Sequence, residues 1–147
     1  MQVVVVPAMR PDKSFSHQPL VWNGTNARAH GGIDLLGRVG DPVMAAGAGV
    51  VVAIQPNPSA TYGHQVVIDH GNRVFTQYAH LQRGSITVRP GDTVEAGQSI
   101  AAIGRTGNTP AQGDAHLHFE VRLGSALPRA AGGRTADPLT YLGALPR

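Results

Sequence analysis

The chain has 147 residues with 19 Gly, 11 Pro and no Cys, and its formal net charge at pH 7 is +3, with a pI of about 10.0. This length suits one domain with a buried core, the lack of Cys excludes disulfides and thiol nucleophiles, and a basic surface favours polyanionic partners. No stretch approaches the roughly 20 apolar residues of a membrane span, and the scattered Arg residues with few aromatics form no stacking platform, so neither a membrane nor a nucleic acid is an expected partner.

The spread of Gly and Pro predicts the fold class. These residues flank short runs of Val, Ile and Ala, and long amphipathic helices are not evident. Such a pattern is typical of many short strands joined by tight turns, so we expect a mostly β single domain. Residues 1–27 contain Pro7, Pro11 and Pro19 and are predicted to form an N-terminal strand and an irregular arm that packs on the domain of residues 28–147.

The first candidate site lies just after this arm, in His30-Gly31-Gly32-Ile33-Asp34. In extended backbone alternate side chains share a face, so His30 and Asp34 are predicted to point the same way. Gly31 and Gly32 leave the backbone open to close approach. An imidazole and a carboxylate are two ligand types of catalytic zinc sites.

One short sequence pattern occurs twice in the chain. The form of Gly40–Gly47 recurs in Gly91–Gly97, and each segment is predicted to be a turn ahead of a strand in an antiparallel sheet. A similar pattern occurs in lipoyl and biotinyl carrier domains, which need a lysine on a hairpin tip. The only lysine of this chain is Lys13, outside the repeat. A carrier function is therefore disfavoured.

The strongest site signal is His116-Leu117-His118-Phe119. If this segment is a strand, His116 and His118 share one face, while Leu117 and Phe119 point into a core on the other. Together with the His30 segment and with His80 in an apolar third segment, this pair predicts a metal site that also keeps a histidine for proton transfer.

These segments, in this order, resemble the M23 zinc metallopeptidases, the lysostaphin and LytM type of peptidoglycan endopeptidase. The resemblance extends over about residues 28 to 142. It is carried by His-x-x-x-Asp, Tyr-Ala-His-Leu and His-Leu-His-Phe-Glu, and further by Gly40-Asp41-Pro42-Val43, Tyr62-Gly63, Val67-Ile68-Asp69-His70-Gly71, Arg89-Pro90-Gly91-Asp92, Gly97-Gln98, Thr106-Gly107-Asn108 and Asp137-Pro138. The resemblance implies an antiparallel sheet with a metal site on the floor of a groove.

The resemblance also implies residue roles. It makes His30, Asp34 and His118 the ligands of one zinc per chain, His80 and His116 the catalytic pair, and Glu120, Tyr78 and Asn108 candidates for supporting a ligand or lining the groove. Zinc makes hydroxide available near neutral pH and polarises a carbonyl. One imidazole can then accept a proton and another can donate one, and the sequence leaves their order open.

The implied function is hydrolysis of peptide cross-links in bacterial peptidoglycan, by a protein that we expect to be a monomer acting at the cell wall. The apolar run in Met1–Met9 is too short for a signal peptide. We therefore expect either a mature fragment or a protein delivered in another way, such as a phage virion or lysis protein (an endolysin). The alternative is a catalytically inactive M23-like module that binds or activates wall hydrolases. Such modules typically lose metal ligands, whereas all five positions are present here. A D-Ala-D-Ala peptidase fits less well, because its first His and its Asp are further apart.

Other segments give weaker expectations. The loop from Asn108 to Ala115 replaces a shorter link and is predicted to be mobile and to rim the groove. The sequence therefore leaves open which type of cross-link is cleaved. In the arm, Asn23 or Asn26 could cover the metal. We expect His64 and His70 to be structural or to support the site from behind.

Overall fold

The computed structural model describes residues 10–11, 33–54, 62–107, 109, 115–126 and 134–136. These residues form ten strands and no helix: β1 (Arg10–Pro11), β2 (Ile33–Gly37), β3 (Pro42–Met44), β4 (Gly49–Ile54), β5 (His64–Asp69), β6 (Val74–Leu81), β7 (Thr93–Val94), β8 (Ser99–Ala102), β9 (Ala115–Leu123) and β10 (Arg134–Ala136). In the described part of the chain, no helix is long and apolar enough to cross a membrane.

The strands form two antiparallel sheets. The larger has the order β1-β2-β9-β6-β5-β4-β7, with β10 also paired to β9, and β3 and β8 form a separate pair. The predicted mostly β, antiparallel single domain is therefore confirmed. The two longest strands, β6 and β9, lie side by side near the centre of the large sheet.

Side-chain alternation along β9 separates a core from a polar face. Leu117 and Phe119 are buried in the apolar cluster, which also contains Val43 and Ile100 from the small sheet. The core thus joins the two sheets on one face of β9. The alternate residues of β9, among them His118, point to the opposite, polar face.

The repeated sequence pattern begins in two matching turns, Arg38–Asp41 and Arg89–Asp92. In each, the aspartate N–H donates to the arginine carbonyl (2.9 and 3.0 Å), and the aspartate Oδ2 accepts from the arginine N–H (2.8 and 2.9 Å). The glycine within each turn has a φ of 94° or 95°, which L side chains rarely adopt. Each turn leads into a short strand with a buried valine, Val43 or Val94.

A line of hydrogen bonds fixes the turn between β3 and β4. The N–H of Ala46 donates to the Tyr78 hydroxyl (2.8 Å), which lies 2.8 Å from Thr76 Oγ1, and Thr76 Oγ1 lies 2.6 Å from His70 Nε2. His70 Nδ1 is 2.8 Å from the carbonyl of Ala48. Since that carbonyl only accepts, Nδ1 carries the hydrogen, and every bond runs in one direction from Ala46 to Ala48. Burial lowers the pKa of His70, which favours this neutral form.

We predict that Tyr78→Phe destabilises the fold. The change leaves the buried N–H of Ala46 without an acceptor, so the free energy of unfolding should fall by about 1–3 kcal/mol in urea titrations. Thr87→Val is the control, because its hydroxyl makes only long bonds of 3.3 and 3.5 Å to carbonyls. A loss for Tyr78→Phe no larger than that of the control would contradict the role of this line of bonds.

Candidate active site

The site lies on the polar face of β2, β9 and β6. Asp34 on β2 is directly opposite His118 on β9, and Ala79 on β6 is opposite His118 from the other side. Directly paired residues of an antiparallel sheet share a face and lie close together. The register therefore brings a carboxylate beside His118.

Asp34 and the two histidines of β9 form a compact polar group. His118 Nδ1 lies 3.1 Å from Asp34 Oδ1, and His116 Nε2 lies 3.6 Å from Asp34 Oδ2. Asp34 and His118 are buried. His30, the remaining predicted zinc ligand, lies outside the described residues, and within the described ranges no group of three or more His, Cys, Asp or Glu is arranged to hold a metal ion.

The second ring nitrogen of His118 is held by Glu120. His118 Nε2 lies 2.7 Å from Glu120 Oε2, and Arg122 Nε donates to Glu120 Oε1 at 3.0 Å. Arg122 in turn donates from Nη1 to the carbonyl of Ala126 at 2.6 Å. Burial raises the pKa of Glu120, but its hydrogen bonds and charge interactions with His118 and Arg122 outweigh burial and lower the pKa to about 2. Glu120 is thus an ionised acceptor that orients His118.

The surroundings of His118 favour the protonated, positively charged form of its imidazole. Burial lowers its pKa, but hydrogen bonds and charge interactions with Asp34 and Glu120 are stronger and raise the pKa to about 9. Two carboxylates therefore flank one imidazole in a buried position. A cation between Asp34 and Nδ1 of His118 would supply the same positive charge.

His80 reaches this face because β6 contains a bulge. The pairing of β5 with β6 shifts between His64–Leu81 and Val66–Tyr78, so β6 has one extra residue in this stretch. His80, within the bulge, has a φ of 60°. Strict alternation would place His80 on the same face as Tyr78, which lies in the core. The bulge instead turns His80 to the polar face.

The three histidine rings lie against one another. The ring of His80 is 4.9 Å from that of His116 and 5.8 Å from that of His118, in edge-to-face arrangements. Burial lowers the pKa of His80 to about 4, although its hydrogen bond to the carbonyl of Thr106 acts in the opposite direction. His80 is therefore neutral near neutral pH. The structure thus brings four predicted site residues together: Asp34, His80, His116 and His118.

Tyr78 is not brought to this group, and several other predicted residues lie outside the described part of the chain. Asn108 lies outside the described residues, as do Asn23, Asn26 and all but Thr109 and Ala115 of the predicted rim loop. Tyr78 is fully buried with its hydroxyl bonded to Ala46 and Thr76, so the prediction that it supports a ligand or lines the groove is wrong. Its place on the core face excludes contact with a substrate in the groove.

Sequence reasoning did not single out three residues that border the site. The ring of Tyr62 lies 5.6 Å from that of His118, and the Arg122 guanidinium lies 6.0 Å from the centre of the Tyr62 ring. Burial, followed by the charge of Glu120, raises the pKa of Tyr62. Thr106 accepts a hydrogen bond from His80. Tyr62 and Thr106 belong to the motifs of the resemblance, and Arg122 continues the alternation of β9, so both signals were present.

Comparisons with known proteins support the resemblance. The profile described as peptidase family M23 matches residues 28–136. The chain is 42% identical over 92 residues to the peptidoglycan DD-endopeptidase ShyA of Vibrio cholerae (63% of this chain, 20% of ShyA). It is 33% identical over 119 residues to the murein hydrolase activator NlpD of Escherichia coli (81% of this chain, 27% of NlpD).

The fold of the chain is also similar to that of a solved peptidase domain. The catalytic domain of the antimicrobial peptidase lysostaphin from Staphylococcus simulans superimposes with a TM-score of 0.68 at 29% identity, over 82% of this chain and 84% of that domain. The chain spans about a third or less of the length of the curated relatives it matches. Because the family profile covers most of the chain and the fold is lysostaphin-like, the chain belongs to peptidase family M23.

Proposed function

We propose that this chain is a zinc-dependent endopeptidase that hydrolyses peptide cross-links of bacterial peptidoglycan. The observation that carries the proposal is the contact of Asp34 with His116 and His118, beside the ring of His80, on one face of the sheet. Family membership supports peptidase chemistry, and the name of the relative ShyA supports peptidoglycan as the substrate class.

The residues at this face fit a zinc ion. A carboxylate oxygen of Asp34 and Nδ1 of His118 converge in a buried position, and both are common zinc ligands. Glu120 engages the other nitrogen of His118, as carboxylates commonly do behind a metal-bound imidazole. His30 is the proposed third protein ligand, which gives one zinc per chain and leaves a position for water.

The chain's own residues would supply the proton transfers. When bound, zinc lowers the pKa of water and polarises the scissile carbonyl. His80 and His116 lie with their rings 4.9 Å apart, so both can contact the same reacting groups. One imidazole accepts a proton from the attacking water, and one donates to the oxyanion or to the leaving amine.

We predict that the purified chain carries about one zinc and that Asp34→Ala abolishes binding, because the change leaves too few ligands for a stable site. Elemental analysis after zinc-replete purification measures this. Asp92→Ala is the control, since that aspartate closes an exposed turn. A wild-type protein with almost no zinc would refute the proposed metal site.

Substitutions can distinguish the proposed catalytic pair, His80 and His116, from the proposed zinc ligands. His80→Ala and His116→Ala should each retain zinc while kcat falls by about 10²- to 10⁴-fold, the usual contribution of a general acid or base. Zinc content and cleavage rate are measured on the same preparations. Loss of zinc from His80→Ala would show that His80 is a ligand and overturn this division of roles.

Glu120 should affect zinc affinity. Glu120→Gln removes the negative charge next to His118, and zinc affinity should fall by about 10- to 100-fold, as is typical for partners of metal-bound histidines. Competition with a chromogenic chelator measures the affinity. The exposed Glu95→Gln is the matched control. Equal affinities for the two variants would mean that Glu120 only braces the sheet.

The second candidate is a module that activates other wall hydrolases without cleaving peptides. It is favoured by the 33% identity to the murein hydrolase activator NlpD over 81% of the chain. Purified walls with glycyl bridges and with direct D-Ala to diaminopimelate cross-links are incubated with the chain alone and with an added murein hydrolase. Mass analysis of released muropeptides should reveal cleaved cross-links with the chain alone. Products that appear only with the added hydrolase would favour the activator and contradict the endopeptidase.

The place of action follows from the same relatives. Their names concern peptidoglycan and murein, which supports action at the bacterial cell wall. They give no support to the phage virion or lysis role expected from the sequence, so the proposal is confined to wall hydrolysis. A monomeric state stays a prediction.

A further inference from the structure

Thr106 connects the ends of two strands next to His80. Its hydroxyl accepts from the N–H of His64 (3.0 Å) and donates to the carbonyl of Leu81 (2.7 Å). Its own carbonyl lies 2.7 Å from His80 Nδ1. A Cβ at position 63 would come within 2.3 Å of Thr106 Oγ1 and the Thr106 carbonyl carbon, so only Gly63 permits this approach. The position of Thr106, and with it the carbonyl that meets His80, is fixed by contacts on several sides.

The contact with Thr106 determines which nitrogen of His80 carries hydrogen. A carbonyl oxygen can only accept, so Nδ1 of His80 must be the donor. The backbone of His80 is held too, because its N–H donates to the carbonyl of Tyr62 (2.8 Å) and its carbonyl accepts from Gly104 (2.9 Å). Ring and backbone are therefore both restrained. In the neutral ring with hydrogen on Nδ1, Nε2 carries the lone pair.

We propose that Thr106 is a positioning residue that fixes His80 in the Nδ1–H tautomer, so that His80 acts in hydrolysis as the proton acceptor, through Nε2. This inference rests on the proposed endopeptidase function and assigns the order of the catalytic pair that the sequence leaves open.

The reaction balances with this assignment. His80 Nε2 takes a proton from the attacking water as the water oxygen bonds to the scissile carbonyl carbon, and the π electrons of that carbonyl move to its oxygen. The carbonyl then re-forms, the C–N bond breaks, and the proton on Nε2 passes to the leaving nitrogen. Water is consumed, an acid and an amine are released, and His80 returns to its neutral form.

The test uses the zinc-loaded 147-residue chain, three threonine variants and His80→Asn. Thr106→Val keeps the branched shape but removes the hydroxyl, and Thr106→Ser restores it. Thr87→Val is the control, since the Thr87 hydroxyl donates long bonds of 3.5 and 3.3 Å to the carbonyls of Ser99 and Ile100, away from the site. Nitrogen-15 NMR of the His80 ring, assigned by loss of its signals in His80→Asn, reports the tautomer, and wall digestion gives kcat and KM.

In the wild type, Thr106→Ser and Thr87→Val, we expect a single tautomer of His80 with hydrogen on Nδ1. In Thr106→Val, an Nε2–H population should appear, and kcat should fall by about 3- to 10-fold with little change in KM, the equivalent of one lost hydrogen bond. A wild-type ring with hydrogen on Nε2 overturns the inference, even if Thr106→Val does not fold.

The inference is also overturned if Thr106→Val folds and keeps both the tautomer and the kcat of the wild type. Failure of the proposed function is a separate result. A chain that cleaves no cross-link yet holds His80 as Nδ1–H, with that tautomer lost in Thr106→Val, supports the positioning by Thr106 and refutes only the peptidase and the acceptor step that depends on it.

Discussion

The site depends on one row of polar contacts that runs from β2 along β9. Asp34 faces Nδ1 of His118, Glu120 Oε2 holds Nε2, and Arg122 Nε donates to Glu120 Oε1. Because both ring nitrogens are engaged from opposite sides, the ring has one orientation. Without Glu120 and Arg122, burial of Asp34 and His118 would leave the imidazole free to rotate and less able to present Nδ1.

The bulge in β6 adds the second component of the site. A residue with left-handed backbone geometry costs about 1–2 kcal/mol, so the φ of 60° at His80 must be maintained by its surroundings. Hydrogen bonds from His80 to the carbonyls of Tyr62 and Thr106, and from the N–H of Gly104 to the carbonyl of His80, provide this restraint. Strain at this position thus brings His80 to the face where regular alternation of β9 places His116 and His118.

Much of this arrangement could be predicted, and the failures have physical causes. Alternation of period two predicted that His116 and His118 oppose the core, because β9 is regular over its length. Tyr78 and His80 would share a face in a regular strand, but one extra residue after Tyr78 in β6 puts them on opposite faces, and no local pattern marks that bulge. Thr106 was missed as a partner of His80 because its contact is made by a backbone carbonyl, which every residue type possesses. The ligand role of His30 lies outside the described residues and stays a prediction.

The central claim is that a zinc ion binds between Asp34 and Nδ1 of His118 while Glu120 retains Nε2. Anomalous diffraction at the zinc absorption edge, from crystals of the zinc-loaded chain, tests it most directly. The account predicts one anomalous peak within bonding distance of an Asp34 oxygen and of His118 Nδ1, with the bond from His118 Nε2 to Glu120 intact. A peak bonded to Nε2 of His118, or located away from Asp34, would contradict it.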